Sequence, residues 1–215
     1  MYSDLVTFLA SHKVQLVAVS KTQPLEKIQT IYDYGHRVFG ENRVQELLSK
    51  KDNLPADIQW HLIGHLQKNK VKYIAPFISM IHSVDSVELA RTISQAALKN
   101  NRVIPILLQV KIAIEESKYG FDQGTIETNI EELKSLEGID IQGMMGMGTF
   151  TSDQEITMQE FKTMKRIYDE IKQKSFSDVP AFRELSIGMS GDYKLAVENG
   201  STMVRIGSLL FRSIS

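Results

Sequence analysis

The sequence predicts one α/β domain, a single (β/α)8 TIM barrel with an extra N-terminal helix, running over residues 1–215. Three observations predict it. Short β-branched runs alternate with amphipathic helical stretches, which implies a parallel sheet. The alternation repeats eight times, and eight such units close naturally into a barrel. No low-complexity linker or change of composition divides the chain. An open doubly wound sheet is the alternative, weakened because no GxGxxG follows the first strand.

Each element has its own signal. MYSDLVTFLASHK precedes the first strand and supplies the extra helix. It has no basic stretch before its short apolar run, and Asp4 interrupts that run, so it reads poorly as a signal peptide. Leu16 to Ser20 is a buried strand, and Pro24 opens a helix to about Tyr34 because proline suits the first helical turn. Val38 to Gly40 is a second strand, followed by a helix from about Arg43 to Lys50. Gln59 to Ile63 is a third, followed by a Lys-rich helix over about Lys68 to Ala75. Ile78 to Ser83 is a fourth, and Ser86 caps a helix to Lys99. Val103 to Val110 is apolar almost throughout, as suits a strand covered on both faces, with a helix over about Gly124 to Leu136. Ile139 to Met144 is the sixth strand, before a long helix from Asp153 to Gln173. Glu184 to Ile187, a helix from Ser190 to Asn199, and Met203 to Ile206 complete the series.

Composition narrows the function. The chain is 42% hydrophobic and 24% charged, as in globular proteins. With 25 basic and 26 acidic residues, the net charge of -1 gives no electrostatic reason to bind nucleic acid or an anionic membrane. No apolar run approaches the ~18 residues of a membrane span. There is no cysteine, which excludes disulfides, thiolate nucleophiles and Cys-type zinc sites. A cytoplasmic protein is expected, with a monomer as the default.

Five clusters carry chemistry. Lys21 directly follows the first strand, at the end of the barrel where active sites lie. A lysine held there with an uncharged amine can form a Schiff base; the plainer reading is a surface lysine opening a loop. In LSIGMSGD, a strand ends, two glycines bracket a turn and a helix starts near Ser190, an arrangement suited to an anion or to simple capping. In MVRIGSL, Arg205 lies within the last strand, where a charge is buried only if paired. Gly207 and Ser208 then offer N–H groups and a hydroxyl. Both anion turns fall after strands seven and eight, where barrels often bind phosphate. GMMGMG, Gly143 to Gly148, falls at the end of strand six; its glycines permit close approach to a ligand and its methionines give a soft apolar wall, the plainer reading being a flexible loop with core methionines. In FGENRVQ, Asn42 can donate to a ring oxygen or cap the next helix. His61 and His65, four apart, lack a third ligand and make a poor metal site. Glu41 and Asp85 are the carboxylates suggestive of a phosphosugar enzyme, a weak fold analogy.

VAVSKTQP, FGENRVQE, WHLIGHLQKNK, SKYGF, GMMGMGTF, LSIGMSGD and STMVRIGSLLF occur in this order from about Leu16 to Phe211. Together they closely resemble the pyridoxal phosphate homeostasis protein family, whose fold is that of the alanine racemase N-terminal domain. The resemblance implies pyridoxal 5′-phosphate as cofactor, with Lys21 as its Schiff-base lysine. It implies Ser190, Gly207 and Ser208 on the phosphate, Arg205 facing the pyridine nitrogen, Asn42 near the ring and Met147 bordering the pocket. Two positions depart from the family's usual residues: Lys111 stands where Asn is usual, and Ser208 where Thr is common.

The same resemblance favours a carrier over a racemase. Arg205 opposite the ring nitrogen cannot readily leave it protonated, though alanine racemases share this arginine. Two-sided proton transfer needs an acid or base on each face. In alanine racemases the second is a tyrosine from a C-terminal domain, and this sequence ends at Ser215, so no such domain is expected. Tyr119 is the tyrosine to watch. The implied partners are pyridoxal phosphate itself and apo forms of enzymes that receive it; a weak amino-acid racemase is the alternative.

Overall fold

The computed structural model describes residues 2–113, 119–149 and 151–212. Ser117 and Lys118 of the SKYGF motif and Phe150 of GMMGMGTF lie outside them. The eight strands are β1 (Gln15–Val19), β2 (Val38–Glu41), β3 (Gln59–Leu62), β4 (Met80–Val84), β5 (Ile104–Lys111), β6 (Ile139–Met147), β7 (Glu184–Ser186) and β8 (Met203–Ile206). They pair in parallel in chain order, and β8 returns to β1 through Val17–Arg205 and its neighbours, closing the barrel. The open-sheet alternative is thereby overturned. Helix α1 (Tyr2–Ser11) precedes the barrel as the extra helix. The outer helices are α2 (Leu25–Asp33), α3 (Val44–Lys51), α4 (Val71–Ile74), α5 (Val87–Lys99), α6 (Gln123–Lys134), α7 (Gln154–Ser175) and α8 (Tyr193–Glu198). A short α9 (Ser208–Arg212) follows β8.

Strand alternation sorts the side chains. Leu16, Ala18, Phe39, Trp60 and Leu62 join the large core between sheet and helices. The opposite parity fills the barrel itself with two four-residue clusters, Val17, Val19, Val38 and Ile63, and Met80, Leu107, Met145 and Met203. This is the layered filling of a closed barrel, a packed core rather than a pore.

Three expectations need correction. Strand six runs past its expected end at Met144: Gly143 to Met147 belong to β6, which overturns the flexible-loop alternative for GMMGMG. Gly143 sits at φ +152°, and a Cβ there would lie 1.8 Å from the Glu184 carbonyl, so only glycine lets β7 run alongside. The register with β5 slips by one residue here, from Ile106–Ile141 to Leu107–Gly143, leaving Gln142 as the extra residue of a bulge. The Lys-rich stretch is a 3-10 turn, Lys68–Lys70, leading into α4. The helix expected from Ser190 starts at Tyr193, and Ser190 lies in the preceding turn. The Asp192 carboxylate accepts from the Met189 N–H at 2.5 Å and shapes that turn.

Candidate functional site

The C-terminal ends of the strands gather most of the residues singled out in the sequence. Lys21 is exposed two residues beyond β1, and its amine has no hydrogen bond or ion pair among the described residues. The backbone on both sides of it is held firmly. Ser20 donates from Oγ to Glu41 Oε1 at 2.6 Å, and its carbonyl accepts from Lys50 Nζ at 2.7 Å. Thr22 takes the left-handed conformation, φ +61°, and its N–H donates to Glu46 Oε1 at 2.5 Å. Lys50 also donates to Glu41 and Glu46, both at 2.7 Å, so one ammonium ties β2, α3 and the Lys21 turn together. Burial pushes the Glu41 carboxyl up, against the hydrogen bonds from Lys50 and Ser20. Its Oε2 has no partner among the described residues. Glu41 is thus a wall residue and does not pair with Asp85.

Arg205 is 4% exposed and lies inside the barrel on β8. Its Nη1 donates to the Ser186 carbonyl at 2.8 Å and Oγ at 2.7 Å, and its Nη2 to the Gly146 carbonyl at 2.9 Å. Three bonds leave donors over from its five N–H groups. Burial lowers its pKa to about 10, with Asp192 acting in the opposite sense; it remains a cation at neutral pH.

The two anion turns meet. Ser190 Oγ accepts from the N–H of Gly207 at 3.3 Å and of Leu209 at 3.4 Å. Two backbone donors from the β8 turn therefore converge on a hydroxyl from the β7 turn, with the exposed Ser208 between them. A Cβ on Gly207 would stand 3.0 Å from the Val19 carbonyl, so the turn lies close against the end of β1. Asn42 is half-buried after β2, and the Gly64 backbone lies directly against it. Met147 ends β6 and is 45% exposed at the rim. Lys111 ends β5 and is also exposed.

The histidine spacing brings nothing together. His65 is at the rim, 3.0 Å from Asp85 by Nδ1, with the Tyr119 ring stacked on it at 3.8 Å. His61 is buried in the barrel, 3.0 Å from His82. No group of three metal-ligating side chains occurs among the described residues. Sequence reasoning missed His82 and Ser186. Each sits in a strand that reads as ordinary apolar core, and each partner is a distant residue on another strand.

Residues 2–214 match the alanine racemase N-terminal domain family. A pyridoxal phosphate homeostasis protein of Aquifex aeolicus is 38% identical over 198 residues, 92% of this chain and 86% of that one. The chain belongs to the pyridoxal phosphate homeostasis protein family. Among solved structures, PipY of Synechococcus elongatus PCC7942 without PLP superposes with a TM-score of 0.90 at 35% identity, covering 98% of this chain and all of that one. The same protein with PLP bound gives a TM-score of 0.88 at 34% identity over the same share of both chains. Lys21 follows β1, Arg205 lies on β8 and the Ser190 and Gly207 turns follow β7 and β8, and these three strands are neighbours in the closed sheet.

Proposed function

We propose that this chain binds pyridoxal 5′-phosphate at Lys21 and serves its homeostasis inside the cell, holding the cofactor and passing it on rather than running a reaction with it. One observation carries the reading: Lys21, whose amine has no partner among the described residues, follows β1, while the buried arginine with spare donors and the turn of converging N–H groups belong to β8 and to the ends of β7 and β8, the neighbouring strands of the closed sheet. The donor set fits the group. Lys21 would hold the aldehyde; Ser20 bonds outward to Glu41, so strand parity turns the next residue toward the barrel mouth. Ser190, Gly207 and Ser208 would hold the phosphate, and Arg205 the ring nitrogen. Asn42 and Met147 would border the ring. Bound in this way, pyridoxal phosphate supplies a conjugated ring that absorbs visible light and can act as an electron sink. The binding seen in PipY supports the assignment. Apo enzymes are the proposed recipients, and the cytoplasm the proposed compartment; no described helix is long and apolar enough to cross a membrane.

The test is a spectrum of the purified protein with cofactor, before and after borohydride, with mass mapping of the modified peptide. Yellow colour that borohydride abolishes, with the mass on the Lys21 peptide, is expected. Retained reducible colour in Lys21→Ala would remove Lys21 from the reading.

A weak amino-acid racemase is the second reading, and the rim favours it at one point. The Asp85–His65–Tyr119 stack offers polar groups able to move a proton besides Lys21. Incubating a panel of L-amino acids in heavy water separates the two: α-deuterium uptake at enzymatic rates would displace the carrier.

A further inference from the structure

The barrel interior holds two imidazoles to which cofactor binding assigns no task. His61 Nδ1 on β3 and His82 Nε2 on β4 are 3.0 Å apart, and His82 Nδ1 is 3.1 Å from Ser186 Oγ on β7. Ser186 Oγ accepts from Arg205 on β8. Four side chains from four strands thus form one line through the barrel, ending on the guanidinium.

The proton positions follow by elimination. Arginine only donates, so the Ser186 oxygen accepts from it, and the hydroxyl proton is left for His82 Nδ1. A neutral His82 accepting there carries its own proton on Nε2 and donates to His61 Nδ1. His61 then holds its proton on Nε2. The reverse order would strand the hydroxyl proton of Ser186, whose side chain is fully buried, without an acceptor. Burial keeps both rings neutral, lowering His61 to about 3 and His82 well below the usual range. Each ring therefore has one proton to place, and the line runs one way.

The Ser186 hydroxyl is the side-chain group that accepts from Arg205 among the described residues. No carboxylate forms an ion pair with it among the described residues, and its other acceptors are the backbone carbonyls of Ser186 and Gly146. We propose that Ser186, His82 and His61 are positioning residues for Arg205, a directed hydrogen-bond line that fixes the guanidinium so that its spare donors meet the acceptor nitrogen of a pyridine ring. The ring half of this rests on the pyridoxal phosphate reading; the line itself does not.

The test has two arms on the full chain. Nitrogen-15 NMR of histidine-labelled protein without cofactor reads the tautomers: His61 and His82 should both be neutral and Nε2-protonated from pH 5 to 8. An Nδ1-protonated or cationic His82 would overturn the line. The second arm compares His82→Asn, whose amide oxygen can take the place of Nδ1, with His82→Leu, which fills the space but accepts nothing. Asn should keep the cofactor affinity and absorbance maximum near those of the unaltered protein. Leu should lose about tenfold in affinity and shift the maximum, because the Ser186 hydroxyl that accepts from Arg205 is no longer oriented. If packing alone mattered, Leu would be the better replacement, and equal or tighter binding by Leu would overturn the proposal. Should Leu fail to fold, Ser186→Ala replaces it, with a mixed His82 tautomer and weakened binding expected, and unchanged tautomer and affinity as the contrary result. If the unaltered protein binds no cofactor at all, the function fails while the tautomer arm still decides the line.

Discussion

Two buried cations stand within the same barrel, Lys50 in its wall and Arg205 in its interior, and they are satisfied in opposite ways. Lys50 has three N–H donors and three acceptors, the Ser20 carbonyl and the Glu41 and Glu46 carboxylates. Its charge is matched and nothing is left over. Arg205 has neutral acceptors only among its hydrogen-bond partners, and donors to spare. A closed cation is a fastener; an open one is a receptor. The wall lysine fastens the turn that presents Lys21, whereas the interior arginine keeps N–H groups without an acceptor among the described residues, as the proposed contact with the ring nitrogen requires.

The contrast can be broken most forcefully at Lys50. Lys50→Met leaves the Glu41 charge buried and unpaired, which costs about 3–5 kcal/mol of stability. Urea unfolding should show it, and adding Glu41→Gln should recover much of the loss. An unaltered midpoint would mean that Lys50 fastens nothing. Arg205→Met should do the reverse. It removes a desolvated charge with no ion-pair partner, so stability should change by less than about 2 kcal/mol, while cofactor affinity falls ~10- to 100-fold. Titration by absorbance reads the affinity; equal affinity would close the receptor.

A third comparison sets acid against the interior. His61 and His82 titrate below their unfolded value of about 6.5. The unfolded chain then binds more protons, so their contribution is intact above pH 6.5 and is lost as pH falls toward their folded values. Between pH 6.5 and 5 this amounts to ~2 kcal/mol for His61, and His82 acts in the same direction. Urea midpoints at the two pH values should show the drop, and His82→Asn should reduce it. The smallest effect belongs to Ser190→Ala, which deprives the Gly207 and Leu209 N–H groups of one acceptor. Stability should move by ~1 kcal/mol or less and affinity by about 2- to 5-fold; no change in either would leave Ser190 outside the cradle.

The fold was legible because its signals are local. Each strand, from Leu16–Ser20 to Met203–Ile206, carries its own β-branched run, and closure follows from counting eight. The Ser190 and Gly207 turns were legible for the same reason, as glycines and hydroxyls directly after strands. What escaped depends on phase and distance. Strand six is expected to end at Met144 because glycine ordinarily ends a strand; it runs on to Met147, with β7 lying directly against Gly143. The start of α8 slipped from Ser190 to Tyr193 because serine and aspartate signal a cap equally well. His82 and Ser186 are 104 residues apart, a pairing that no local pattern encodes.

The surplus residue Gln142 has a consequence well beyond its own position. Side chains along a strand take turns, odd to one face and even to the other, and one inserted residue exchanges the turns of everything downstream. Ile139 and Ile141 look toward the helices, yet past the slip it is Met144 that does so, while Met145 fills the barrel. Met147 inherits the inward turn at the rim, and the Gly146 carbonyl lands within reach of Arg205. Deleting Gln142 would remove the bulge and leave Met144 and Met145 on their present faces, whereas straightening the strand with Gln142 still in it would trade their places; the count of residues, not their chemistry, selects which side chains line the barrel.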